Sequence, residues 1–395
     1  MATLFKTRKK YYYEFPFYFF IFFPYIKILP MESDTQPYAC LFSIFLLFIQ
    51  LPVISKFKNI SKYFLMALGV AIVLLTCNFN ASSVRDVFGY VSILVIYAET
   101  LYMISRYGFN EKLFHVFSLI WLFVGLIQLY IPSFMTFFIA ASRTTEGRGV
   151  CSLAVEPSYY GIVLQFFIII NILTHGDKRY NIFYGAGIVL LSRSAMSIAY
   201  LFVFILLYLL KYRAILVISI ILVVAYILVT VSGAFSTLET NTNIRALVLL
   251  VKLLKSGPLL LVKLDASIND RIGSIVLSLR GFIDNAMLPR SFGAWNTYLS
   301  QVLPSQTMFY NISKGKILCT IGSILFYEGF LGLFCVYKLI SNVKYMSDKF
   351  QRLILSIFLV LFYLTAIPLA FPMIGFVCAL MKKTDKHMER KNFQF

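Results

Sequence analysis

Between Ala195 and Val231 only Lys211 and Arg213 carry charge, and the remainder is almost continuously apolar. In lipid, such a segment satisfies its backbone only as a helix or a closed barrel, and the lack of strand-like alternation selects helix. Comparable runs recur along the chain. They are Phe15–Leu29, Tyr38–Ile54, Tyr63–Phe79, Val87–Ile104, Leu113–Ile131, Ser158–Leu173, Ile182–Leu191, Ala195–Leu210, Ala214–Val231, Ile317–Ile340, Leu353–Ile367 and Ala370–Met381. Composition agrees, with 60% hydrophobic and 13% charged residues in 395, against about 45–50% apolar in soluble domains. The expected fold class is all-α, a polytopic helical membrane protein with about twelve transmembrane helices.

The formal charge is +19, from 36 Lys and Arg against 17 Asp and Glu. Two interrupted runs decide where that excess falls. Ile182–Leu210 is broken by Ser192-Arg193-Ser194, and Leu353–Met381 by Pro368 and Pro372. Splitting each into two spans puts Lys178, Arg179, Lys211, Arg213 and the basic tail Lys382–Lys391 on the side of Lys6–Lys10. That side then holds most of the excess, the positive-inside pattern of a membrane protein, with both termini cytoplasmic. The charge is therefore no sign of nucleic-acid binding. The run at Phe15–Leu29 follows a basic start as a signal peptide would, but no small-residue cleavage site follows it, which makes it an uncleaved first span. Three parts are expected: residues 1–231, a nine-span bundle; 232–316, a large periplasmic loop whose apolar stretches Ala246–Leu254, Pro258–Leu264 and Ile272–Leu279 would be interfacial amphipathic helices; and 317–395, three spans and a cytoplasmic tail.

Chemistry-bearing residues concentrate on the outer side. In the stretch from Ser142 to Gly161, Pro157 suits the first position of a helix and Glu156 its N-cap. Glutamate is a poor cap, so capping alone does not account for it. Glu156 is a candidate base or acceptor for a sugar hydroxyl; the plainer alternative is a solvated carboxylate paired with Arg148. Arg193 is placed just below the outer surface, where it can meet an anionic headgroup or simply snorkel. The large loop adds Arg245, Arg271, Arg280 and Arg290, whose planar forks suit phosphate, although most loop charges are merely solvated. Glu99 and Glu328 fall within spans, where the alternatives are a proton or ion relay and, more plainly, carboxylates satisfied inside the bundle. His115, His175 and His387 all lie near the cytoplasmic face, and CxxC pairs and glycine-rich nucleotide loops are absent, so no cofactor and no metal is expected. Cys40, Cys335 and Cys378 sit inside apolar runs as small hydrophobes.

Arg148-Gly149, Glu156-Pro157-Ser158 with Gly161, the Ser192-Arg193-Ser194 break, and Asp265…Arg271…Ser278 before Phe292-Gly293 together resemble the bacterial O-antigen polymerases of the Wzy type. That resemblance implies a metal-independent membrane glycosyltransferase of lipopolysaccharide biosynthesis. It would polymerise oligosaccharide repeat units carried on undecaprenyl diphosphate, with membrane lipid and a chain-length regulator protein as further partners. Glu156 and Arg193 would be catalytic, and Arg148, Arg245, Arg271 and Arg290 would bind diphosphate or sugar. O-antigen ligases share the Ser-Arg feature but place a functional histidine in the large outer loop, and this loop has none. A lipid-linked oligosaccharide flippase would also have about twelve spans, with internal repeats and mid-membrane charges in place of a long outer loop.

Overall fold

The computed structural model describes residues 13–28, 34–54, 58–78, 83–139, 143, 149–210, 219, 257, 259–305 and 307–392. The expected span Ala214–Val231, the apolar stretch Ala246–Leu254, Arg148, Arg245 and the basic N-terminus lie outside these residues. The fold is all-helical. Its elements are α1 (residues 13–22), α2 (Tyr38–Ile49), α3 (Lys58–Cys77), α4 (Ser83–Tyr107), α5 (Glu111–Gln128) and α6 (Pro157–Leu173). Next come α7 (Lys178–Ala186, continued by the π-helical turn Gly187–Ser192) and α8 (Ala195–Leu210). The last are α9 (Ala266–Asp284), α10 (Ala294–Val302), α11 (Thr320–Glu328), α12 (Phe330–Ile340), α13 (Lys349–Leu364) and α14 (Met373–Asn392). The described backbone forms no strand beyond an isolated bridge between Ile26 and Ile139.

Among the described residues, three helices are long and apolar enough to cross a membrane, over Ile60–Cys77, Asp86–Tyr107 and Glu111–Gln128. Their outward faces support that character. Leu65, Leu68, Ile72 and Leu75 on α3, and Val116, Leu119, Phe123 and Leu126 on α5, are exposed at helical spacing. Apolar surface so arranged suits lipid and not water. Inside, α4 and α6 are almost wholly buried against α14. Aromatic rings fill the space between them: Phe22 meets Phe167 and Phe376, and Phe166 stacks on Phe362 at 4.3 Å. The Trp121 indole, fully buried, donates to the Phe22 carbonyl at 2.8 Å, so its one polar atom is satisfied.

Helix boundaries depart from the apolar runs where backbone chemistry intervenes. The first helix stops at residue 22 because Pro24 cannot continue it, and the chain turns back so that Lys27 donates to the Phe138 carbonyl at 2.6 Å. The run Ile317–Ile340 reads as one span but is two helices. They meet at Gly329 (φ 63°, ψ −142°), a conformation closed to other residues. The expected interfacial helices of the large loop also differ. Ile272–Leu279 belongs to α9, which does not lie alone on a surface: it packs along α11 through Ser278 and Gly281, while Gly273 meets Ile312 and Phe309. Gly322 faces Ser278, and Gly281 faces the Phe326 ring, so small residues let the two backbones approach. The breaks at Ser192–Ser194 and Pro368–Pro372 fall as read from the sequence.

Candidate functional site

Pro157 occupies the first turn of α6 and Glu156 is its N-cap, in extended conformation and with no side-chain capping bond. The carboxylate is thus left for other partners. One oxygen accepts from the Ser158 hydroxyl at 3.1 Å, and the other lies 3.6 Å from the Arg143 guanidinium. Arg143 also pairs with Asp34, and its amide donates to the Val155 carbonyl at 2.7 Å. Among the described residues the partner of Glu156 is Arg143; Arg148, the partner expected from the sequence, lies outside them. Burial pulls the Arg143 pKa down, but the Asp34 and Glu156 carboxylates more than offset that and leave it raised. The cluster keeps a fixed cation.

Arg193 ends the π-helical turn in the left-handed region (φ 47°, ψ 20°), unusual for a residue with a side chain. Three contacts hold it there. Val150 donates to the Leu191 carbonyl at 2.9 Å, the Ser194 amide donates to the Ser192 hydroxyl at 3.3 Å, and the Arg193 Nε donates to the Leu190 carbonyl at 3.1 Å. Gly149 lies so close that a Cβ would overlap the Leu191 and Ser192 carbonyl oxygens. Gly161 on α6 likewise faces Ser192 and Ser197, and the Ser197 hydroxyl donates to the Ser158 carbonyl at 3.3 Å. The break that carries Arg193 is thereby fastened to the helix that starts at Glu156. The guanidinium itself is exposed.

Arg271 reaches the same place from α9, with Nη1 2.9 Å from the Met196 sulfur. Its neighbour Asp270 is buried and accepts from the Ser313 amide at 2.8 Å and from the Ser313 hydroxyl, which sets the rotation of the helix. Tyr159 lies within electrostatic reach of Glu156, Asp34, Arg143 and Arg271 together. Arg290 is elsewhere. It donates to the Gly281 carbonyl at 3.0 Å and lies over the Phe326 ring at 4.9 Å and the Tyr298 ring at 5.3 Å, the contacts of a packing residue. Arg280 pairs with Asp284 one turn on. Glu99 and Glu328 are buried in the bundle.

A cavity of about 540 Å³ adjoins the cluster and shares Asp34 and Tyr159 with it. Its other walls come from Asp86, Tyr90, Phe292, Gly293, Lys316, Tyr327 and the turn 366–370. Sequence reasoning missed Asp34, which reaches Arg143 across 109 positions with no local spacing to announce it. Tyr159 stood inside the recognised motif but was not singled out. Among the described residues, no three His, Cys, Asp or Glu side chains are grouped to hold a metal. All six cysteines are free. No family model matches the chain, and no curated protein does.

Proposed function

We propose that the protein polymerises undecaprenyl-diphosphate-linked oligosaccharide repeat units into O-antigen or a related surface polysaccharide, at the periplasmic face of a bacterial inner membrane. One observation carries the reading. Arg143, residues 149–161, residues 192–197 and Arg271, far apart in sequence, are joined by contacts next to a carboxylate at a helix start. The twelve-span topology belongs to the same proposal. It is supported by the cavity, whose walls at residues 34–37, 86–90, 315–318 and 366–370 come from segments that the charge pattern assigns to the outside and from the span ends that adjoin them.

The chemistry follows from the groups present. An acceptor sugar hydroxyl gives its proton to Glu156, and its oxygen attacks the anomeric carbon of the donor. The bond from that carbon to the diphosphate oxygen breaks, and undecaprenyl diphosphate leaves with the electron pair. The guanidiniums of Arg193 and Arg271 stabilise the charge that develops on it, with Arg148 and Arg245 as further candidates. Glu156 then returns its proton to water. Purified protein in vesicles, given lipid-linked repeat units and no nucleotide sugar, should form a ladder of lengthening chains. Translocation of intact units with no product would support a flippase, and transfer onto lipid A-core with no lengthening would support a ligase. Either result would overturn the proposal.

A further inference from the structure

Helices α2 and α4 pack side by side and lead from the cavity into the bundle. Thr35 and Pro37 before α2, and Asp86, Gly89 and Tyr90 in the first turns of α4, line the cavity. From there the two helices keep one register. The Cys40 thiol lies against Ser92 and donates to the Phe88 carbonyl at 3.8 Å, and further along Gln50 reaches the Glu99 carboxyl. Ser43 and Gln50 are seven residues apart on one side, Ser92 and Glu99 seven apart on the other, so each pair shares a helix face. Glu99 lies about 14 Å along α4 from Tyr90, at 1.5 Å per residue.

The polar atoms of this seam are buried and unbonded. Ser43, Ser92, Glu99 and Thr100 expose no surface, and Thr35 is 2% exposed. Yet the hydroxyls of these four Ser and Thr residues, both Glu99 oxygens and the Gln50 side-chain oxygen make no hydrogen bond among the described residues. Buried polar groups are normally satisfied, and a cluster that is not calls for a role. No described cation pairs with Glu99. The helices packed on α4 are α2, α3 and α14. Of these, α2 carries no charge. α3 brings an exposed Lys62 and Tyr63, whose ring meets Tyr97 at 4.2 Å. α14 brings Cys378 and Lys382, the latter over the Tyr63 ring at 5.6 Å. On α4 itself Arg106 donates to the Tyr102 hydroxyl, and Tyr107 lies within electrostatic reach of Glu99 and of Tyr13 on α1. An ionised carboxylate so placed is uncompensated, whereas a carboxylic acid is neutral and has an O–H to give to a neighbour.

We propose that Glu99 is a proton-binding site, filled from the cavity along the seam of Thr35, Cys40, Ser43 and Ser92. The site stands apart from the polymerase reading, because its test uses no substrate. Infrared difference spectra of full-length protein in lipid, native minus Glu99→Gln, isolate the carbonyl stretch of this one carboxyl. Near neutral pH the native chain should show the band of a protonated carboxyl, and the variant should lack it. In heavy water the band should move to its deuterated position well before the amides of α4 exchange, since those wait for the helix to open. Ser43→Ala and Ser92→Ala should each slow that move severalfold. Should Glu99→Gln fail to accumulate, Glu99→Asp keeps the carboxyl and should shift the same band. A spectrum in which neither variant alters a protonated-carboxyl band would mean an ionised group. A band that appears only when sodium is withdrawn would mean a sodium site. A band that moves only with the α4 amides would mean a locked structural acid, and native exchange in both serine variants would remove the seam. Any of these results would overturn the proposal.

Discussion

The bundle around α6 and the side lobe built from α9, α10, α11 and residues 308–319 hold together by opposite means. In the bundle, most of α6 is buried among rings and aliphatic chains, and each contact is one of many. The side lobe has a smaller apolar core around Trp295, Leu299 and Phe326. It depends on a few polar side chains, each making several bonds. Asn269 alone donates to the Val262 and Met308 carbonyls at 3.1 and 2.9 Å and accepts from the Tyr310 and Asn311 amides at 3.1 and 3.2 Å. The Trp295 indole adds a bond to the Ser313 carbonyl at 3.0 Å. The bundle is therefore redundant, whereas the lobe is specified at points. The candidate site lies where the two regions meet, with Glu156 supplied by the bundle and Arg271 by the lobe.

That contrast orders what substitutions should do. Arg193→Ala and Arg271→Ala remove charge stabilisation at the junction and should each lower polymer formation about 10²–10³-fold, with Lys only partly restoring it. Native chain lengths in both would remove diphosphate stabilisation from the account. Gly149→Ala drives a methyl group into the Leu191 and Ser192 carbonyls. A displacement of Arg193 by about 1 Å would cost roughly 10²-fold in turnover with the protein still accumulating. Native turnover in that variant would show that the break is not held from outside.

Smaller effects separate the regions themselves. Asn269→Ala strands four backbone groups and should destabilise the lobe by about 2–3 kcal/mol. Hydrogen exchange should then rise at residues 308–313 and stay native along α6. A rise of the same size in both would mean the two regions unfold as one. Phe167→Leu in the bundle should cost less than about 1.5 kcal/mol, because neighbouring side chains can close most of the gap. A larger loss would contradict the redundancy argued for that core.

What was legible in the sequence follows the same division. Apolar runs and their basic flanks locate α2 to α6, α8 and α13, because burial in the bundle or exposure to lipid asks only for hydrophobicity at helical length. The breaks at Ser192–Ser194 and after Leu364 were visible as polar or proline interruptions. The lobe was not legible. Its close approach of α9 to α11 depends on which small residues of one helix face which of the other, a pairing that hydropathy does not encode. Glu156 could be found from its place before Pro157, a local rule. Its pairing with Arg143 could not, since bringing Arg143 to Glu156 and recruiting Asp34 are decided by contacts across the fold.

The central claim is that Glu156 takes the acceptor's proton, and the rate of chain lengthening in vesicles with Glu156→Gln tests it most directly. The glutamine keeps the shape beside Ser158 and Arg143 but cannot accept the proton. The account predicts that lipid-linked single units persist and that the rate falls about 10²–10⁴-fold, the usual contribution of a general base. A glutamine variant that lengthens chains at more than about a tenth of the native rate would contradict it, and would leave Glu156 as no more than the start of a helix.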